Sequence, residues 1–181
     1  MGAYLSCGIA KSIAIDKKQR FCGKYEKEEI LEEIKKEIDL NIYDIKETEN
    51  AIYLELKPKI FEENAVAFVK EQLEKRNLNK DYVKEDLEKI KKLEGKNYEE
   101  LIEAAKEKSC RPFQLIEGCI LTNDISYISD SKFEIHADII IYIMDGKAIM
   151  ECYSDLFYYL RKTIMNESNN PIKSSVVLTL D

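Results

Sequence analysis

The spacing of apolar residues switches between a period of two and a helical period along this chain, and these switches limit the folds it can adopt. Apolar residues recur with a period of two in residues 4–15, with a helical period between residues 60 and 108, and again with a period of two after Pro112. Strands on both sides of a run of helices favour an antiparallel sheet over a regular β-α alternation. We therefore predict an α+β fold in the order β-α-β-β-α-α-α-β-β-β-α-β, with a mainly antiparallel β-sheet, helices packed on it and a central helical insert at about 60–108.

The length of the chain fits one domain. Its 181 residues are enough to bury about two thirds of the surface that the unfolded chain exposes. No repeat at solenoid spacing and no low-complexity linker divides it. We expect a single α+β domain over residues 1–181.

The first predicted strand, residues 4–15, has one apolar face and one face of small residues. Leu5, Ile9, Ile13 and their neighbours alternate with Ser6, Gly8, Ala10, Ser12 and Ala14, and Lys11 interrupts the apolar row. Small side chains let another group approach the backbone closely. A packed helix and a bound ligand are both possible reasons for this face.

After the first strand, the sequence predicts a helix and then a β-hairpin. Ile30, Ile34 and Ile38 form an apolar stripe on a helix over residues 25–38, and residues 41–46 and 51–57 are typical of two strands joined by a short loop. Within the insert, Asn97 and Glu100 have the spacing of a capping box and Gly95 suits the end of the preceding helix.

The last third of the chain predicts strands at 113–128, 132–144, 147–153 and 174–180. Asp145-Gly146 is typical of a type I′ turn, which would pair the second and third of these as a hairpin. A helix from Ser154 to about Met165 separates the third from the fourth.

Charge, hydropathy and cysteine content exclude several classes of protein. The net charge of −7 argues against direct binding of nucleic acid, and no apolar run approaches the ~20 residues of a membrane-spanning helix. Five scattered cysteines indicate buried thiols rather than disulfides or a zinc site. We expect a soluble cytoplasmic protein without a cofactor.

The basic segment from Lys11 to Lys24 contrasts with an acidic excess in residues 25–60. Either a function of this segment or an ordinary solvated loop would explain the contrast.

One strand carries a possible catalytic or metal-binding group. His136 is the one histidine, and Glu134 and Asp138 lie two residues to either side, on the same face of the predicted strand. A carboxylate can orient an imidazole as a general base, and the three side chains could share a metal ion. The polar face of a half-exposed strand would have the same pattern.

Aromatic residues gather near the last predicted helix. Tyr153, Phe157, Tyr158 and Tyr159, followed by Arg161, cannot all face the core from one helix. Tyrosine and arginine are enriched at binding hot spots, so these residues are a candidate protein-binding surface. The alternative is that the tyrosines flank a core formed by Leu156, Leu160 and Ile164.

These features lead to two functional hypotheses. The first is a non-enzymatic, acidic protein–protein interaction module, such as an inhibitor or immunity-type protein that binds a basic effector, because a negative surface speeds association with a cationic partner. The alternative is a metal-dependent or acid/base enzyme that uses Glu134, His136 and Asp138 on an unknown substrate. The sequence leaves the oligomeric state open.

Overall fold

The computed structural model describes residues 5–19, 23–36, 38–74, 81–107, 110–121, 135–143 and 176–180. Its strands and helices are β1 Leu5–Asp16, β2 Lys18–Gln19, β3 Gly23–Lys24, α1 Lys27–Ile34, β4 Tyr43–Glu47, β5 Ala51–Leu56, α2 Pro58–Glu74, α3 Asp81–Lys91, α4 Tyr98–Lys106, β6 Gln114–Leu121, β7 Ile135–Ile143 and β8 Val176–Leu180. The predicted strand 147–153 and helix 154–165 lie outside the described residues. Every other predicted element is present, in the predicted order.

Six of these strands form one antiparallel sheet. Its path is β4-β5-β1-β7-β6, and β8 also pairs with β1. The long β1 contacts β7 along one edge, while its other edge is shared between β8 at residues 5–9 and β5 at residues 12–16. The antiparallel α+β architecture predicted from the sequence is confirmed.

A β-bulge at Lys11 divides β1 into two halves. Ala10 pairs with Ile139 and Ser12 with Asp138, so Lys11 has no cross-strand partner on β7. An extra residue of this kind moves the following side chains to the other face of the sheet. Ala10 therefore shares the core face with Ile13, whereas Ser12 lies on the opposite face.

This bulge corrects the prediction of one face of small residues along β1. Gly8 and Ala10 lie on the face that carries Ile139, and a Cβ atom on Gly8 would be 2.1 Å from Ile139 Cγ2. The group that approaches the backbone at Gly8 is thus the side chain of a neighbouring strand, and neither a helix nor a ligand is needed to explain the glycine.

The helices begin and end at recognisable signals. Pro58 is the first residue of α2, a position where its missing N–H is not needed. The predicted capping box of α4 is confirmed: the Asn97 side chain accepts from the Glu100 N–H at 2.9 Å, and the Glu100 carboxylate accepts from the Asn97 N–H at 3.1 Å. Gly95, at a φ of 76°, ends the turns that follow α3.

The helical insert and the sheet share one hydrophobic core. Ile30 and Ile34 of α1 and Phe61 and Phe68 of α2 are fully buried in the same cluster as the isoleucines of β1 and β7. Phe61 meets the Tyr98 ring edge-on at 5.5 Å and lies 6.3 Å from the Phe113 ring, which joins α2 and α4 to the start of β6.

The extent of a single domain over residues 1–181 stays a prediction. None of the described helices is both long and apolar enough to cross a membrane.

Candidate functional site

The acidic residues of this protein are concentrated in α1 and the β4–β5 hairpin. Residues 26–55 contain eleven Asp and Glu and four Lys, so this segment has a net charge of −7, equal to that of the whole chain. Of its described carboxylates, only Glu33 and Glu55 are half-buried and the others are exposed. We call residues 26–55 the acidic segment.

Two lysines of the basic segment form ion pairs with residues of the β4–β5 hairpin. The Lys17 ammonium donates a hydrogen bond to the Glu47 carboxylate, which is also 3.6 Å from the Lys27 ammonium. The hydrogen bond from Lys17 is the main reason why the pKa of Glu47 lies below its usual range. Lys24 lies 3.9 Å from Glu49. Lys17 and Lys24 thus form ion pairs with the hairpin. Lys17 is buried, whereas Lys24 and Glu49 are exposed, so a function of the basic segment stays a prediction.

Backbone contacts hold Lys17 in place for this pairing. The Lys17 N–H donates to the Asn50 carbonyl and the Lys17 carbonyl accepts from the Tyr25 N–H, both at 2.9 Å. The chain after β1 is therefore tied to the hairpin loop, and the Lys17 side chain is buried against it. The lysine contributes a fixed charge rather than a mobile one.

The histidine strand has the predicted alternation. His136 and Asp138 lie on one face of β7 and are half-buried, while Ile135, Ala137 and Ile139 on the other face are buried. Glu134, the third member of the predicted group, lies outside the described residues. The structure therefore supports the shared face of His136 and Asp138 and leaves the complete group as a prediction.

Asp138 is engaged in backbone and ionic contacts. Its Oδ1 atom accepts a hydrogen bond from the Gly118 N–H at 2.9 Å, and its Oδ2 atom lies 3.8 Å from the Lys11 ammonium. Both contacts come from bulges, because β6 also has an irregularity between Ile116 and Cys119 that contains Gly118 at a φ of 66°. Two bulges on the strands flanking β7 thus converge on one carboxylate.

Further polar residues complete a row across the sheet. Ser12 pairs with Glu55 of β5 on one side and with Asp138 of β7 on the other, so the three side chains lie on the same face. The phenol of Tyr98 in α4 is affected by the charges of this row. Burial raises its pKa, and the negative carboxylates of Glu55 and Asp138 raise the pKa further. We call Glu55, Ser12 and Asp138 the polar row.

The chemistry of the polar row is limited by these contacts. The Asp138 carboxylate accepts a hydrogen bond from the Gly118 N–H and faces the Lys11 ammonium, so its contacts stabilise the two bulges. Among the described residues, no group of three His, Cys, Asp or Glu side chains has an arrangement that could hold a metal ion. The enzyme hypothesis based on Glu134, His136 and Asp138 stays a prediction.

A second charged group lies near the end of the helical insert. The buried carboxylate of Asp86 is 3.6 Å from the Arg111 guanidinium and 3.9 Å from the Lys89 ammonium. The nearby Cys110 is a buried free thiol, and burial raises its pKa to about 11. Cys110 therefore fits the predicted buried and unreactive thiol.

The predicted aromatic binding residues cannot be placed. Tyr153, Phe157, Tyr158, Tyr159 and Arg161 all belong to the part of the chain outside the described ranges, so their role in binding stays a prediction. Sequence analysis did not predict that Ser12 and Glu55 would join Asp138 in the polar row, or that Lys11 and Tyr98 would lie near it. The break in alternation at Lys11 was the one signal that pointed to it.

Comparison of the chain with protein-family models, with curated proteins and with solved structures finds no match.

Proposed function

We propose that this protein is a non-enzymatic interaction module that presents the acidic segment to a basic protein partner. The observation that carries the proposal is the location of the charge: a net −7 falls within residues 26–55, and most of the carboxylates there are exposed. A concentrated negative surface steers a cationic partner into contact and raises the rate of association.

The chemistry of the segment favours a protein partner. Carboxylates repel the phosphates of nucleic acids, whereas they form charge-assisted hydrogen bonds with arginine and lysine side chains. A small acidic protein that covers the active surface of a basic effector, as an immunity protein covers a toxin, would use this combination of charge and size. In that role the protein inhibits its partner by occupying it.

The acidic segment is held rigidly enough to serve as a surface. Ile30 and Ile34 anchor α1 in the core, Glu26 and Glu29 cap its first turn, and the Lys17 contacts hold the hairpin loop. A preorganised surface loses less conformational entropy when it binds. The predicted aromatic residues, if they lie beside this surface, would supply the apolar anchors that charge alone lacks.

The test is an affinity pull-down of the tagged protein from lysate of its own source, with mass spectrometry and then a binding titration of the purified partner. A charge-neutralised variant changes three exposed carboxylates of the segment to glutamine: Glu28, Glu32 and Glu49. A matched control makes the same change at three exposed carboxylates of the insert: Glu63, Glu85 and Glu103. Both variants have the same net charge, so a difference between them reports the location of the surface.

We expect a basic, stoichiometric partner whose affinity falls with salt and falls at least about tenfold more in the segment variant than in the control. Alanine at both Tyr158 and Tyr159 should weaken the same complex more than tenfold if these residues are its anchor. Equal affinity of the segment and control variants would contradict the proposal.

A further inference from the structure

Among the strands that the structure describes, β4 is the last one at its edge of the sheet. Within the described part of the chain β4 pairs only with β5, and the side chains of Asp44, Ile45, Lys46 and Glu47 are all exposed. Edge strands of this kind are templates for pairing with a further strand. Among the large aliphatic side chains whose burial the structure describes, Ile45 is unusual in being 36% exposed.

The register of the hairpin determines which backbone groups face outward. Lys57 donates its N–H to the Ile42 carbonyl and Thr48 donates its N–H to the Ala51 carbonyl. In an antiparallel ladder, hydrogen-bonded and non-hydrogen-bonded pairs alternate. Asp44 and Lys46 therefore bond to β5, whereas the N–H and C=O groups of Ile45 and Glu47 and the C=O group of Tyr43 point away from the sheet. The Tyr43 N–H donates to the Leu40 carbonyl of its own chain.

We propose that this edge pairs with the β4 edge of a second copy of the chain, in an antiparallel register centred on Ile45. Ile45 then exchanges both backbone hydrogen bonds with Ile45 of the second copy, and the Glu47 N–H donates to the Tyr43 carbonyl of that copy. About four backbone hydrogen bonds would join the two sheets into one continuous sheet about a twofold axis.

The side chains of β4 are complementary to themselves in this register. Asp44 lies opposite Lys46 of the second copy, and Lys46 opposite Asp44, in the non-hydrogen-bonded positions where facing side chains come closest. Neither residue has an ion pair with any described residue of its own chain. On the other face, the exposed Ile45 side chains cover one another.

The local charge of the edge permits this approach. Asp44 and Lys46 cancel, and Glu47 is neutralised by Lys17 and Lys27 of its own chain. A lysine on an edge strand normally discourages pairing, because an arbitrary strand offers it no counter-charge. The second copy supplies that counter-charge at the required position, which is why it fits this edge better than an unrelated strand.

The interface is small, so the dimer is expected to be reversible. A strand of five residues buries less than the standard interface of about 1,600 Å². Sedimentation velocity over a range of concentrations, from about 1 µM to about 1 mM, should therefore give a sedimentation coefficient that rises from the monomer to the dimer value. A monomer throughout this range would overturn the proposal.

A charge exchange tests the register. The variant Asp44→Lys places lysine opposite lysine in its own homodimer, and Lys46→Asp places aspartate opposite aspartate, so each variant alone should dimerise at least about tenfold more weakly than the unmodified protein. When the two variants are mixed, lysines of one face aspartates of the other, and a heterodimer should form. Failure of the mixture to associate, or undiminished homodimers of either variant, would exclude this register.

A backbone variant provides an independent readout. Ile45→Pro removes an outward N–H but leaves the hydrogen bonds of Asp44 and Lys46 to β5, and circular dichroism checks that the fold is kept. Ile45→Val retains the N–H and is its matched control. We expect the proline variant alone to be monomeric; a proline variant that dimerises like the valine control would also overturn the proposal. Because β4 lies within the acidic segment, the two proposals are separated by their variants: those that test the dimer lie in β4, whereas those that test the proposed function leave β4 unchanged.

Discussion

Replacement of Gly8 by alanine should destabilise the protein, although the same change in a strand normally stabilises it. A strand glycine replaced by alanine usually gains about 0.5–1 kcal/mol, because the unfolded chain loses freedom. At Gly8 the added Cβ would lie 2.1 Å from Ile139 Cγ2 and 3.0 Å from the Ile140 carbonyl oxygen. Carbon atoms in contact prefer about 3.5–4.0 Å, so the strands must shift apart.

The magnitude follows from the burial of the site. Gly8 and Ile139 are both buried, and Ile139 is fully enclosed, so its methyl group has no free space to enter. Overpacking of this kind costs about 1–3 kcal/mol, and we expect a loss of roughly 2–3 kcal/mol in the free energy of unfolding. For a chain of this length that lowers Tm by roughly 4–12 °C. Urea denaturation measures the loss directly, provided that the m value, the slope of the unfolding free energy against urea concentration, is the same in both proteins.

Two background variants separate the clash from other effects of the methyl group. Ile139→Ala removes Cγ2, so Gly8→Ala in that background should cost less than about 1 kcal/mol. Ile139→Val keeps Cγ2, so the full penalty should remain. The close approach of these two residues is refuted if Gly8→Ala is neutral in the unmodified protein or equally costly in all three backgrounds.

Three further predictions concern caps, bulges and the buried thiol. Asn97→Ala should lower the free energy of unfolding by about 1 kcal/mol in urea denaturation, whereas Asn97→Ser keeps an accepting oxygen; equal losses would contradict the capping role. Asp138→Ala should cost about 1 kcal/mol because the Gly118 N–H loses its acceptor, and Asp138→Asn, which keeps an accepting oxygen, should cost less; equal losses would show that the charge, and not the hydrogen bond, matters. Because burial raises the pKa of Cys110 to about 11, the folded state holds the thiol proton more tightly than the unfolded chain, whose thiol titrates near pH 8.5. The contribution of the buried thiol to stability is complete below about pH 8.5 and is lost as the pH rises to about 11. The unfolding free energy of Cys110→Ala should therefore fall less steeply with pH over this range than that of the unmodified protein. Identical slopes of the two proteins would argue against the raised pKa.

The sequence predicted the elements because their signals are local. The stripe of Ile30, Ile34 and Ile38 and the capping box of Asn97 and Glu100 each lie within a few helical turns, and the structure buries or bonds them as expected. The α+β class followed from the order of such elements.

The site could not be predicted because its contacts join distant parts of the chain. The bulge at Lys11 depends on how β1 pairs with β7, more than 120 residues away, and a single extra residue reverses the faces assigned by alternation. The pairing of Lys17 with Glu47 likewise depends on the approach of the chain after β1 to the hairpin loop. Periodicity within a segment carries no information about either contact.

The division of β1 between β5 and β8 has a consequence for the order in which the protein forms during synthesis. Residues 12–16 can pair with β5 once residue 56 has left the ribosome, whereas residues 5–9 must wait for β7 at 135–143 and for β8 at 176–180. Long-range pairs of this kind form slowly, and until then the first half of β1 exposes an apolar strand with two open edges. The nascent chain is therefore most exposed to aggregation in the first half of β1, and a chaperone that binds extended apolar segments would find its target there.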